Sequence, residues 1–325
     1  MPDLTRRTML AGAAVGALTP LTATPLKAAA PAAGKQAPSF YRSKVGDFEV
    51  TVISDGAVQI QVQPTLVRNT SIEEIKAALA AAYLPTDQYW NQFNPVLVNT
   101  GTKLVLLDAG NHASRSPTTG KLPEGLAAAG VDPKAIDLIV ISHFHADHIG
   151  GLRTADNALA YPNAEIMVPA AEWAFWMDDG NMSRAPASGP VRNTFENVRR
   201  IFGSIADKVT RYEAGKEVAP GITTIPTAGH TPGHASFIVA SGSGKLIVQA
   251  DVTGNPAINL RNPGWHTAAD MDGPMAEATR RKLYDMAATE KMPISGYHYA
   301  FPALGYAEKD GDRYRLVPVH WNPTL

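Results

Sequence analysis

Cysteine is absent from all 325 residues. That excludes disulfide staples and thiolate metal ligands, and it leaves nothing for an oxidising compartment to damage. An excess of charge of one sign is lacking too: the formal net charge is −1 and no basic stripe runs along the chain, so nucleic acid is not an expected partner. Long apolar runs are missing as well. The mild stretch from Met9 to Leu18 is well short of the ~20 residues a spanning helix needs, so no membrane span is expected.

What is present divides unequally. Residues 1–30 carry paired Arg6 and Arg7, the Ala/Gly/Leu-rich stretch and an Ala-x-Ala at Ala28 to Ala30. These are the features of a twin-arginine-type signal peptide, and hence of a periplasmic or secreted protein. The Pro/Ala-rich residues 31–40 read as a linker. No further break is apparent, so 41–325 is expected to be one domain.

Within it, "FEVTVISDG" at 48–56 alternates as a strand does, and 94–110 reads as a hairpin, two apolar runs joined by "NTGTK". A similar pattern at 237–251 suggests a weak internal two-fold, since the hairpins end in Asp108 and Asp251. Helical periodicity marks 71–83, 170–179, 189–205 and 275–291. Strands in two blocks, each followed by helices, predict an α/β fold with two sheets face to face and helices outside, a four-layer αββα sandwich.

The stretch "SHFHADHIGG" at 142–151 follows the apolar run "IDLIVI" and places His143, His145, Asp147 and His148 in six positions. Packing asks for none of them, and structural histidines do not usually cluster so. Gly150 and Gly151 are read as giving the backbone freedom to turn there. Three more polar residues follow apolar strands: His230 in "GHTPGH", Asp251 in "QAD" and His298 in "GYH". A dinuclear metal site needs about this many donors.

Five histidines and two aspartates in this order resemble the metallo-β-lactamase superfamily from about residue 41 to the C-terminus. The segments "GDFEVTVISDG", "LAYPNAEI", "GHTPGHASFIV" and "GYHYAFPALGY" resemble its methyl parathion hydrolase and dihydrocoumarin-type lactonase branch. The resemblance implies two divalent ions, zinc first, with iron, cobalt or manganese as the other candidates. It puts His143, His145 and His230 on one ion and Asp147, His148 and His298 on the other, with Asp251 bridging both beside a hydroxide. Asp147 and Asp251 would be the catalytic carboxylates, Asp147 also shuttling a proton. Asp108 would orient a ligand histidine, His234 would fix a loop, and His112, His266 and His320 would be ordinary loop or surface residues.

Trp176 and Phe195 match positions that line an aromatic substrate pocket in that branch, and the equal alternative is that Trp173, Phe175 and Trp176 simply pack a helix. After "LLDAG", however, the polar "NHASRSPTTG" offers Arg115 and Ser116 where the phosphotriesterases have an aromatic. A small-molecule lactone or aryl ester is therefore the first expectation, with organophosphate triesters as a side activity. A primary phosphotriesterase, a glyoxalase II-like thioesterase using Arg280, Arg281 and Lys282, and an iron redox protein are the rivals. A homodimer is left open.

Overall fold

The structure, a computed structural model, describes residues 32–34 and 36–325. The expected signal segment, residues 1–30, and part of the expected linker lie outside them. Residues Pro38–Leu325 form one compact unit.

In chain order, β1 (Phe40–Val45) and β2 (Phe48–Ile53) form a hairpin, and β3 (Ala57–Gln61) pairs with β4 (Gln88–Gln92) in a separate ribbon. With β5 (Val96–Asn99), β6 (Leu104–Leu107), β7 (Leu138–Val140), β8 (Glu165–Pro169) and β9 (Val209–Tyr212), the first hairpin makes a seven-stranded sheet ordered β1-β2-β5-β6-β7-β8-β9. The second sheet runs in sequence through β10 (Glu217–Ala219), β11 (Ile222–Pro226), β12 (Ala235–Ser241), β13 (Gly244–Val248), β14 (Pro293–Ser295), β15 (Leu304–Asp310) and β16 (Arg313–Pro318).

Side-chain alternation decides the layers. Val96, Val98, Val105, Leu107, Leu138 and Val140 share one core with Ile222, Phe237 and Val239 of the second sheet. Their neighbours Leu97, Leu106, Ile139 and Ile141 face the other way. There they are covered by α2 (Leu122–Ala128), α4 (Ala170–Trp176) and α6 (Pro190–Phe202). Of the remaining helices, α1 (Ile72–Ala81) starts at a Ser71–Glu74 capping box, α3 (Ala146–Ile149) and α5 (Asp179–Arg184) are short, and α7 (Gly273–Thr289) packs Leu283, Tyr284 and Ala287 onto the second sheet. This is the expected αββα sandwich. Among the described residues no helix is long and apolar enough to cross a membrane.

The two hairpins recur as foreseen. β5–β6 and β12–β13 are antiparallel pairs, and each is followed by a parallel partner, β7 or β14. Because β6 and β7 run together, the chain leaves both at the same end of the first sheet. β11, β13 and β14 likewise share a direction, so the segments after them leave the second sheet at one end. Every candidate ligand sits on one of these exits.

Candidate metal centre

The exits converge. His143, His145, His230 and Asp251 form one group, and Asp147, His148, Asp251 and His298 another; within each, one ligand atom per residue lies within 4.8 Å of all the others. Asp251 belongs to both. Its Oδ2 is 3.3 Å from His230 Nε2 and 3.0 Å from His298 Nε2, and its Oδ1 is 3.2 Å from His148 Nε2. The turn after Asp147 does not depend on glycine flexibility, because Gly150 has ordinary helical angles. The glycines are needed for space: a Cβ on Gly151 would lie 2.0 Å from the Ala109 carbonyl oxygen, and one on Gly150 would lie 2.5 Å from His112 N.

Several of the rings are held from behind. Asp108 accepts from His148 Nδ1 at 2.8 Å and from Ser142 N at 2.7 Å, as the sequence suggested. Asp270 lies 3.0 Å from His230 Nδ1 and is itself tied to buried Arg280. His298 Nδ1 meets the Gln92 carbonyl at 2.8 Å, so the β3–β4 ribbon fixes that ring. His234 accepts the Asp251 backbone N–H on Nε2 at 3.1 Å and bonds Thr227 through Nδ1 at 2.8 Å, which makes it a brace for Asp251. Such partners set tautomer and ring direction. His112 and His266 are engaged elsewhere, with Ser114 and Glu277.

Buried imidazoles this close cannot all carry protons. Burial and the neighbouring His230 push His145 down to about 3, whereas for His230 burial is outweighed by Asp251 and Asp270, which raise it to about 9. His143 Nε2, His148 Nε2 and Asp251 Oδ1 are buried without a hydrogen bond. Each such orphan costs about 1–3 kcal/mol, and three converging on one place are lone pairs awaiting cations. The donor set therefore fits two divalent ions.

The pocket assignment is corrected. Trp176 and Phe195 are each 1% exposed and pack against one another in the core beneath α4 and α6, ring centres 4.7 Å apart. Trp176 Nε1 is spent on Glu172. Neither residue lines the two cavities at the metal ligands. One, of about 230 Å³, is walled by Ile60, Leu66, Tyr89 and Ile258 and reaches His230, Asp251 and His298. The next, of about 380 Å³, is walled by Leu84, Tyr89, Trp90 and Pro256 and also touches His298. The aromatic side chains at the cleft thus come from β4.

Two residues in contact with the ligand-bearing segments escaped the sequence reading. Glu172 is a lone acid in an aromatic helix, with no pattern to mark it. Arg115 was weighed only as a missing aromatic, yet its guanidinium lies 5.0 Å over the Phe93 ring, donates to Asn111 Oδ1 at 2.5 Å and stands 3.5 Å from Asp147 Oδ1. Asn111 is fixed in turn by Asp55, whose Oδ2 accepts both its backbone and side-chain N–H at 2.7 Å. For Asp147, burial opposes ionisation, but His148 and Arg115 prevail and hold the carboxyl low. That suits a ligand better than a proton carrier.

Two adjoining His/Asp groups that share an aspartate, set at the strand ends of an αββα sandwich, define a protein built around a dinuclear metal site. Residues 89–298 match the Metallo-beta-lactamase superfamily model, and the chain belongs to that superfamily. Among solved structures it is similar to AidC, a dizinc quorum-quenching lactonase in complex with a product, N-hexanoyl-L-homoserine. The two are 26% identical with a TM-score of 0.82, covering 88% of this chain and 99% of that one. It is also similar to hydrolase AbOPH, at 26% identity and TM-score 0.81, covering 89% and 100%. The RNase J-like protein of Methanocaldococcus jannaschii is 27% identical over 161 residues, 48% of this chain and 32% of that protein. The N-acyl homoserine lactonase AttM of Agrobacterium fabrum is 31% identical over 129 residues, 38% of this chain and 43% of that protein. The chain thus spans less than half the length of these curated relatives.

Proposed function

We propose that the chain is a dinuclear metal-dependent hydrolase that opens lactones or aryl esters. The observation that carries this reading is Asp251, which faces both ligand groups with an unpartnered buried oxygen where they meet the apolar-walled cavity. His143, His145 and His230 would hold one ion and Asp147, His148 and His298 the other, with Asp251 shared by both groups. Two divalent ions there, zinc the first candidate, supply a water acidified towards neutrality and a Lewis acid for the ester oxygen. The protein's own part is to orient the imidazoles through Asp108, Asp270 and the Gln92 carbonyl, to keep Asp147 ionised beside Arg115, and to seat the substrate's apolar arm against Ile60, Leu66 and Tyr89. The lactonase relatives support this substrate class. The decisive experiment measures metal content and turnover together on a panel of aryl lactones, acyl-homoserine lactones, thioesters and phosphotriesters. Lactone turnover lost with chelation and restored with zinc is expected; a two-metal protein inert on every lactone and ester would refute the reading.

Preference between esters and phosphotriesters cannot come from the metals, which both substrates meet alike, so it must come from the walls. Arg115 stands beside Asp147, its guanidinium 3.5 Å from Oδ1 and over the Phe93 ring. Replacing it with Phe sets a second ring against Phe93, worth about 0.5–1.5 kcal/mol to an aryl leaving group. Arg115→Phe also removes a charge beside Asp147, so with zinc supplied in excess it is expected to raise the triester-to-lactone rate ratio several-fold, as steady-state kinetics would show.

We propose export by the twin-arginine route on the strength of Arg6 and Arg7. Converting both to Lys should retain the precursor in the cytoplasm; normal periplasmic yield on fractionation would rule the route out.

A further inference from the structure

Between the His143–His148 loop and the His230 loop lies a carboxylate that the metal groups do not use. Glu172, the third residue of α4, is 0% exposed. Its Oε2 accepts from Phe144 N at 3.0 Å and Trp176 Nε1 at 2.9 Å, and its Oε1 accepts from Gly233 N at 2.7 Å. Phe144 stands between His143 and His145, and Gly233 directly precedes His234 in the loop that carries His230. A single carboxylate therefore takes one backbone N–H from each loop, one loop on each oxygen. The fit is close: a Cβ on Gly233 would lie 2.4 Å from Glu172 N and 2.8 Å from Ala171 C.

We infer that Glu172 is a positioning residue of the metal centre. It sets the separation between the His143–His145 loop and the His230 loop, and with it the affinity of the three-histidine position. The other position has supports that do not pass through α4. Asp108 holds His148, the Gln92 carbonyl holds His298, and Tyr297 Oη donates to the Asp147 carbonyl at 2.5 Å. Disturbing Glu172 should consequently split the two metals. The inference rests on the two-metal reading proposed above.

Glu172→Gln keeps the shape but turns an amide N–H₂ towards a backbone donor, and Glu172→Asp keeps the charge but is a methylene too short to span both loops. The test uses the full chain titrated with zinc against a competing chelator, with metal per chain read by mass spectrometry and the cobalt-substituted protein by its visible absorption spectrum. Both variants are expected to keep one tight metal and to bind the other roughly 10–100-fold more weakly, the usual effect of losing an outer support. The cobalt spectrum should lose the bands of one position only. Trp176→Phe, which removes the donor belonging to neither loop, should leave both affinities as in the wild type. Two unaltered affinities, equal weakening of both, the same split from Trp176→Phe, or failure of both Glu172 variants to fold would overturn the inference. A wild-type chain that takes up no zinc would instead defeat the two-metal reading.

Discussion

Asp251→Asn is expected to give a protein that carries fewer than about one metal per chain instead of about two, and whose lactone turnover falls by more than the roughly 100-fold that loss of an outer partner costs. The substitution preserves volume and keeps one oxygen, so packing is spared, but it removes the charge that both ligand groups share. Asp251 lies within 3.7 Å of His143, His148, His230 and His298, all buried or nearly so. Two dications this close repel each other, and the carboxylate between them is the group that screens the repulsion. Metal analysis alongside kinetics checks the result. Full turnover in a protein stripped of metal would falsify the mechanism, and two metals retained with turnover intact would remove Asp251 from its centre.

The second large effect is on stability. Arg280 is 1% exposed, donates Nε to the Val252 carbonyl at 2.9 Å and Nη1 to those of Pro263 and Trp265 at 2.7 and 3.1 Å, and pairs through Nη2 with Asp270 at 3.2 Å. Arg280→Met fills the same space yet removes the cation paired with the buried Asp270 carboxylate, which keeps only His230 and Thr267 N, and takes the side-chain donor from the Val252 and Pro263 carbonyls. Breaking a buried pair by removing one partner costs about 3–5 kcal/mol, which lowers the melting temperature by roughly 10 °C in a chain of this size. A thermal melt decides it, and a shift within a degree of wild type would show that the network carries no weight. The same geometry bears on the thioesterase alternative. Of the three basic residues read for an anionic conjugate, Arg280 is committed inside the protein, whereas Arg281, paired with Glu277 and the Asp312 carbonyl, and Lys282 remain at the surface.

The ligand set was legible because its pattern has no competing explanation. His143, His145, Asp147 and His148 cost too much to bury for packing to account for them, and His230, Asp251 and His298 each follow an apolar strand. The layers were legible because Val96–Leu97–Val98 and Val105–Leu106–Leu107 alternate between two cores, as period-two strands must. The cleft was not legible. Tyr89 and Trp90 sit in "DQYWNQF", whose polar neighbours hide a two-stranded ribbon that its own ladder holds and that meets His298 through Gln92 and Asn91. Trp176 was misplaced because a sequence cannot say which way an aromatic helix faces. It packs in the apolar cluster with its indole N–H satisfied by Glu172, and a single Glu ordinarily reads as a solvated residue.

The shared geometry of the two hairpins has a mechanical consequence for a chain without cysteine. On the proposed assignment, each metal draws ligands from both sheets: His143 and His145 join His230 and Asp251, and Asp147 and His148 join Asp251 and His298. Ions so held are non-covalent cross-links, closing loops of about 85 residues between His145 and His230 and of about 150 between His148 and His298. A covalent bridge over ~100 residues removes about 4–5 kcal/mol of unfolded-chain entropy. The metals can give the protein the kind of tether that disulfides supply elsewhere, in a form that chelation undoes and reduction does not.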